Sequence, residues 1–466
     1  MQSGSETWNG HGGMLAAIFL ALALALGGGG SPAPLPEIIL ECIGALFASL
    51  WVLGKLGAPD WRRAPRTAWM ICCIVVTVPI LQLIPLPPSI WHALPGREVE
   101  LDALTLIGEQ SSWRAWALAP ARTLSSLLSL GPPLLLLMMT SALNRNGRLA
   151  LIQTIASMAV VTFALGALQH AAGEDSPLQL YGDMSQALQG FQANKNSTAD
   201  FLLVALMTGP LLVRASVERR LIPNRGSVVL LISGAAMLIC AISVVLTASR
   251  TGIALLPIPI VSSLYILRHW LRFKWRALLT MLIAAIIALP LAFILALTNP
   301  VLVRIVARFD SSNYSHELRP QLWRDGLFEA QKYFPFGVGM GDFIPVYIAD
   351  ERLEVVEQLM PNRAHNELIE LTTEAGLLGL GALSAVCFLL FRAARAARAV
   401  SKKLSLELVC FASTSLGIFA LHSLVDYPFR SLSLASLAGV CAGLLLSPRC
   451  DKFITVSGEP SSLSEA

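Results

Sequence analysis

Between Leu318 and Gly381 the chain reads RPQLW (319–323), then PFGVGMG (335–341), then HNELIELTTEAGLLGLG (365–381), a polar stretch that opens directly into an apolar helix. Its arginines, histidine and acids stand out because the sequence around them is lipid-soluble. The chain is 55% hydrophobic and 14% charged, against about 25% charged in soluble domains. Apolar runs of ~20 residues, long enough at 1.5 Å per residue to cross a ~30 Å hydrocarbon core, can be marked about twelve times. They fall near 13–29, 34–54, 67–86, 122–143, 147–170, 198–217, 228–248, 251–268, 276–298, 366–392, 406–426 and 430–448. Inside a bilayer the backbone must satisfy its own polar groups, so the expected fold is an all-α polytopic membrane protein. A single transmembrane domain is expected over 1–448, followed by a disordered cytoplasmic tail over 449–466 that is rich in Ser, Gly and Pro.

Basic residues in short loops stay on the cytoplasmic side, so alternate loops orient the chain. Lys55, Arg62, Arg63 and Arg66 follow the second run, Arg145 and Arg148 the fourth, and Arg214, Arg219, Arg220 and Arg225 the sixth. Arg268, Arg272, Lys274 and Arg276 follow the eighth, and Arg392, Arg395, Arg398, Lys402 and Lys403 the tenth. Both termini are therefore expected in the cytoplasm, with the 299–365 loop facing outward. The eight cysteines all fall in apolar runs or at their cytoplasmic ends, so no disulfide framework is expected. No Cys/His spacing suggests zinc. The first run resembles a signal peptide, yet Met1 to Gly13 carries no Lys or Arg and further runs follow, so a retained helix is expected. A net charge of +4 is accounted for by the cytoplasmic loops and does not call for nucleic acid.

Three sizeable outward loops remain, 87–121, 171–197 and 299–365. The first carries Trp91, Trp113 and Trp116, which suit the headgroup level. The second holds Gly190-Phe191 with Asn194 and Asn196, whose amides can bind sugar hydroxyls or cap the following helix. In the third, Pro320 to Phe334 reads as a helix along the membrane surface, with Trp323, Leu327 and Phe334 as its apolar stripe. Arg319 then sits at a helix start, where free N–H groups favour an anion.

Arg250 is the one charge in the tight outward turn between the seventh and eighth runs, against the bias that keeps basic residues inside. It reads either as a snorkelling arginine or as one aimed at an outer-face anion. For Arg319 the plain alternative is a surface ion pair with Glu317 or Asp325. Together the two arginines can clamp a diphosphate, since a guanidinium offers paired donors to phosphate oxygens. His365 precedes the tenth run, with Glu367, Glu370 and Glu374 on the turns that follow. It is either a cap or packed side chain, or a base that takes a proton from a hydroxyl once a carboxylate orients it. Carboxylates within a span are costly unless partnered, so the glutamates either orient polar groups or line a wet cavity. Gly337, Gly339 and Gly341 lack the following Lys-Ser/Thr of a nucleotide loop and read as a tight packed turn. His422 and Asp426, four apart, either support the same site or make a structural hydrogen bond.

These residues together resemble the O-antigen ligase and O-antigen polymerase superfamily of bacterial membrane glycosyltransferases. The resemblance is carried by Ser249-Arg250-Thr-Gly252, Arg319 with Trp323, Pro335 with Gly337 and Gly339, His365-Asn366 with Glu374-Ala-Gly376-Leu-Leu-Gly379, and His422-Ser-Leu-Val-Asp426-Tyr-Pro. It is strongest over about 245–430, with a core of about 190–430 and the 299–365 loop as its catalytic part. It implies a GT-C type fold of about twelve spans in the bacterial inner membrane, acting at the periplasmic face on an undecaprenyl-diphosphate-linked glycan. Under it, Arg250 and Arg319 hold the diphosphate leaving group and His365 activates the acceptor hydroxyl. Asn194, Asn196, Trp323, Asn366, Glu374, His422 and Asp426 are the expected substrate-binding residues, and inversion follows from a single displacement.

No Asp-x-Asp motif is present, so neither a metal nor another cofactor is expected. The acceptor is a growing repeat-unit polymer of O-antigen, capsule or exopolysaccharide, the lipid A core, or a protein hydroxyl. Polymerisation is the leading expectation, with a chain-length regulator and a flippase as partners and membrane lipids as surroundings. A flippase or other transporter is the competing class; it would carry broken-helix pairs or repeat symmetry, which the sequence does not show.

Overall fold

The computed structural model describes residues 3–29, 35–54, 61–173, 176–181, 187–271, 319–351, 362–400 and 403–447. The expected ninth run (276–298), the 299–318 part of the outward loop and the 449–466 tail lie outside the described residues. Almost everything described is helical, apart from a two-strand antiparallel pairing of Pro85–Leu86 with Arg114–Ala115. Among the described residues, eight helices are long and apolar enough to cross a membrane: 35–52, 66–83, 120–142, 145–172, 195–218, 226–246, 250–267 and 367–399. Three shorter apolar helices, Gly12–Leu26, Leu406–His422 and Leu432–Leu446, coincide with three further expected runs.

The chain divides into two compact units, one made of 1–154 with 319–466 and the other of 155–318. In the first, small residues let helix backbones meet. A Cβ on Gly439 would stand 2.2 Å from the Pro133 carbonyl oxygen, and one on Gly443 2.7 Å from that of Leu137. Such approach replaces the hydrophobic drive that lipid cannot supply between helices. In the second unit, Gly252 does the same: its Cβ would lie 2.6 Å from that of Ala199. Gln169 there holds Gly190 from both sides, donating to its carbonyl at 3.0 Å and accepting from its N–H at 3.0 Å.

The Glu367–Val400 helix is interrupted at Gly376, whose φ of 51° and ψ of −139° leave helical space. The glycine turn fills the gap. Val338 N–H donates to the freed Thr373 carbonyl at 3.0 Å, Gly339 N–H to that of Glu374 at 2.9 Å, and Leu377 N–H to Pro335 at 2.9 Å. Gln82 completes the arrangement, donating to the Glu374 carbonyl at 2.9 Å and accepting from Met340 N–H at 2.9 Å. Every backbone group named here has a partner, which is what lets a span break inside apolar surroundings. The turn has to be glycine-rich because a Cβ on Gly337 would lie 2.6 Å from the Glu374 carbonyl carbon.

The surface helix of the third loop runs Arg319–Lys332. Leu327 and Phe328 are exposed on it, as an interfacial stripe requires, and Phe334 just beyond its end is exposed too. Its inner face carries Leu322, Asp325, Gly326, Glu329 and Ala330, all buried, so two acids face inward where the sequence stripe gave no sign of them. Trp323 is half-buried and packs toward the Leu322, Phe343, Tyr347, Ala364 and Ile369 cluster.

Candidate functional site

His365 adopts a φ of +50°, in the left-handed region that side chains other than those of Gly and Asn seldom occupy. The surroundings hold it there. Trp323 Nε1–H donates to the His365 carbonyl at 3.2 Å, and its neighbour Asn366 caps the helix behind, accepting from Leu368 N–H at 3.0 Å and Ile369 N–H at 3.1 Å. Asn366 Nδ2 also donates to the Leu424 carbonyl at 2.9 Å, tying the helix start to the Ser423–Tyr427 turn.

The imidazole meets a carboxylate from that turn. His365 Nδ1 lies 3.0 Å from Asp426 Oδ1. On the other oxygen, Oδ2, His422 Nε2 stands at 3.8 Å and an Arg319 Nη at 4.0 Å. Tyr427 N–H donates to Oδ1 at 3.0 Å, and the Tyr427 ring packs edge-on against His365 at 4.9 Å between centroids. Burial by itself would raise the Asp426 carboxyl. The hydrogen bond from His365, with attraction to His365, His422 and Arg319, outweighs it and holds the group below its ordinary value. An ionised carboxylate only accepts, so the imidazole nitrogen facing it, Nδ1, is the donor in that hydrogen bond. The His365 side chain is 24% exposed while that of Asp426 is 3% exposed, so the imidazole is open to its surroundings and the carboxylate is not.

Behind this pair lies an ionic cluster along one face of the Glu367–Val400 helix. Glu370 pairs with Arg363 at 2.8 Å, and Glu374 Oε2 with Arg430 Nη2 at 2.7 Å. Arg430 also stands 3.4 Å from Glu367 and 3.5 Å from Glu370. Glu374, expected among the substrate-binding residues, faces Arg430 in this cluster. Arg430 and Arg363 were not among the residues expected from sequence. The signal that singled out Arg250, a basic residue at the outer end of an apolar helix, applies equally to Arg430.

A further buried acid, Asp342, accepts from Ala119 N–H at 2.9 Å beneath the glycine turn. Burial, helped by the nearby Glu374 carboxylate, raises its pKa to about 7 against the opposing pull of Ala119 N–H, Arg122 and Arg97. On the outer surface Lys332 bridges both oxygens of Asp350 at 2.7 and 2.9 Å.

The remaining expected residues lie in the 155–318 unit. Asn194 caps the Lys195–Leu206 helix, its side chain accepting from Asn196 N–H at 2.9 Å, which favours the capping reading over a free amide. Arg250 opens a short helix, Arg250–Leu255, capped by Ser249 Oγ, which accepts from Gly252 N–H at 3.1 Å. The structure thus gathers Arg319, Trp323, His365, Asn366, Glu374, His422 and Asp426 in one unit and holds Arg250, Asn194 and Asn196 in the other. No group of three His, Cys, Asp or Glu side chains among the described residues is arranged to hold a metal ion.

Residues 235–384 match the family model described as O-antigen ligase, and this match supports the O-antigen ligase and polymerase superfamily. The matched stretch contains Arg250, Arg319, Trp323, His365, Asn366 and Glu374, and stops short of His422 and Asp426. No curated protein matches the chain.

Proposed function

We propose, from the O-antigen ligase match over 235–384 and the apolar helices, that this chain is a multi-pass membrane glycosyltransferase of the O-antigen ligase and polymerase type. In this reading it works at the periplasmic face of the bacterial inner membrane. It moves a glycan from undecaprenyl diphosphate onto a sugar hydroxyl and so polymerises repeat units of O-antigen, capsule or exopolysaccharide. The observation that carries the reading is the His365–Asp426 contact at 3.0 Å with Arg319 on the far carboxylate oxygen.

The chemistry follows from that geometry. His365 Nε2 takes the proton of the acceptor hydroxyl, and the freed oxygen forms a bond to the anomeric carbon. The bond from that carbon to the diphosphate oxygen breaks in the same step, and the electron pair leaves with the lipid diphosphate. Attack opposite the departing group inverts the centre. Asp426 stabilises the imidazolium, as a buried carboxylate does for a histidine base. Arg319 meets the charge that develops on the leaving group, where a fixed cation in a partly dry site is worth most. Arg250 keeps the phosphate-binding role that the resemblance implies. The leaving group is already a stable anion, so the reading needs no metal ion.

The family description itself favours a second acceptor, the lipid A core, which would make the chain a ligase. Both readings are tested in cells carrying Arg319→Ala or His365→Ala, analysed for lipid-linked glycan. A polymerase leaves single repeat units on lipid and short chains still attached to lipid A. A ligase leaves long unattached chains. Glycans unchanged in both variants would remove the enzyme reading altogether.

A further inference from the structure

We propose that Arg430 is a positioning residue for the transfer reaction, a clasp that holds the two halves of the His365–Asp426 pair together. The proposal rests on the reading of that pair as base and orienting carboxylate. His365 and Asp426 come from separate segments, and each segment runs into the clasp within a few residues. Two positions after His365 stands Glu367, and four positions after Asp426 stands Arg430 at the end of the short Pro428–Arg430 turn. The guanidinium reaches Glu367 at 3.4 Å through Nε, Glu370 at 3.5 Å through Nη1 and Glu374 at 2.7 Å through Nη2. These carboxylates lie at i, i+3 and i+7, one face of the helix. Glu367 also accepts from Phe429 N–H at 2.8 Å, and its own N–H donates to the Ser423 carbonyl at 3.0 Å.

A planar guanidinium with its fork of donors can serve three carboxylates at once, which a lysine point charge cannot. Arg430 is itself mostly buried and the Glu370 and Glu374 side chains are wholly so, with the outer oxygen of Glu374 left without a hydrogen bond. Arg363 answers Glu370 directly at 2.8 Å and acts on Glu374 only as a more distant charge. Removing Arg430 therefore takes away the 2.7 Å partner of the buried Glu374 at the place where the Asp426 turn is fastened to the His365 helix. The expected result is drift of Asp426 from Nδ1.

The test uses full-length protein in lipid nanodiscs with nitrogen-15-labelled histidine. It reads the His365 imidazole signal by NMR, together with turnover of the producing cell's own lipid-linked glycan. For Arg430→Gln the signature of Nδ1–H bonded to a carboxylate should be lost, kcat should fall about 100-fold, and donor KM should hold within about threefold. Arg430→Lys should recover part of both. Should Arg430→Gln fail to fold, Glu367→Gln replaces it, since it leaves two arginines facing two glutamates and keeps an acceptor for Phe429. It is expected to weaken the same signal and lower kcat about fivefold. A folded variant with an unchanged His365 signal and unchanged kcat overturns the clasp. If His365→Ala itself stays active, the base assignment has failed, and the imidazole signal alone decides whether Arg430 positions the pair.

Discussion

His365 Nδ1 meets Asp426 Oδ1 at 3.0 Å although 61 positions separate the two residues in the chain. The contact sets Nδ1 against the carboxylate in a side chain that stays partly exposed. The Trp323 bond to its carbonyl and the Asn366 cap beside it hold His365 at its left-handed φ. The chemistry proposed for the site depends on this pair more than on any other contact.

Arg319 shares Asp426 with His365, at 4.0 Å and 3.0 Å respectively. A diphosphate that draws Arg319 away leaves the whole Asp426 charge to the imidazole. Arg319→Ala should therefore weaken donor binding by about 10- to 100-fold, while Arg319→Lys, which keeps the charge and loses the paired donors, should fall between. Donor titration against purified protein measures this. Equal affinity in all three proteins would remove Arg319 from the phosphate site.

Asp342 gives a pH-dependent stability with a definite sign. Its folded pKa of about 7 lies above the ordinary 3.8, so the folded state binds the extra proton between those values. Stability is then lost as pH rises through that window and stays reduced above it. Asp342→Asn keeps an acceptor for Ala119 N–H and carries no charge. It should raise the unfolding temperature relative to the wild type more at pH 8 than at pH 5. A difference that does not change with pH would show that Asp342 is not protonated in the fold.

The break at Gly376 makes a paired prediction. A Cβ there would stand 2.0 Å from the Pro335 carbonyl oxygen at a φ of 51°, whereas one on Gly381 meets nothing within 4 Å. Gly376→Ala should cost about 1–3 kcal/mol or more from backbone strain and the clash. Gly381→Ala, on the same helix, should be neutral or gain about 0.5–1 kcal/mol from reduced chain entropy. Thermal unfolding in detergent reads both, and equal effects would mean that the helix runs unbroken.

The apolar runs were legible because span length and composition are local properties of a sequence. So was the helix start at Arg319, marked by the proline that follows it. The kink was not legible, because Gly376 sits in a run of leucine and glycine that reads as continuous helix. Its cause lies about 40 residues earlier, in the turn around Pro335. The partner of Glu374 was not legible for a related reason. A glutamate in a span announces a polar partner without saying which one, and Arg430 comes from a turn 56 positions further on. For Asn194 the sequence left sugar binding and helix capping open, because a capping bond such as the one from Asn196 N–H is common to many helix starts.

The most direct measurement is a double-mutant cycle on His365 and Asp426, using purified protein in proteoliposomes and following release of lipid diphosphate from the lipid-linked glycan. His365→Ala alone should lower kcat by about 10²–10⁴-fold, the range for a lost general base. Asp426→Asn alone should lower it within the same range by favouring the wrong imidazole tautomer. The double variant should be little worse than His365→Ala, since residues that act as one unit are not additive. Multiplicative losses, or a His365→Ala protein that still releases lipid diphosphate at the wild-type rate, would contradict the account.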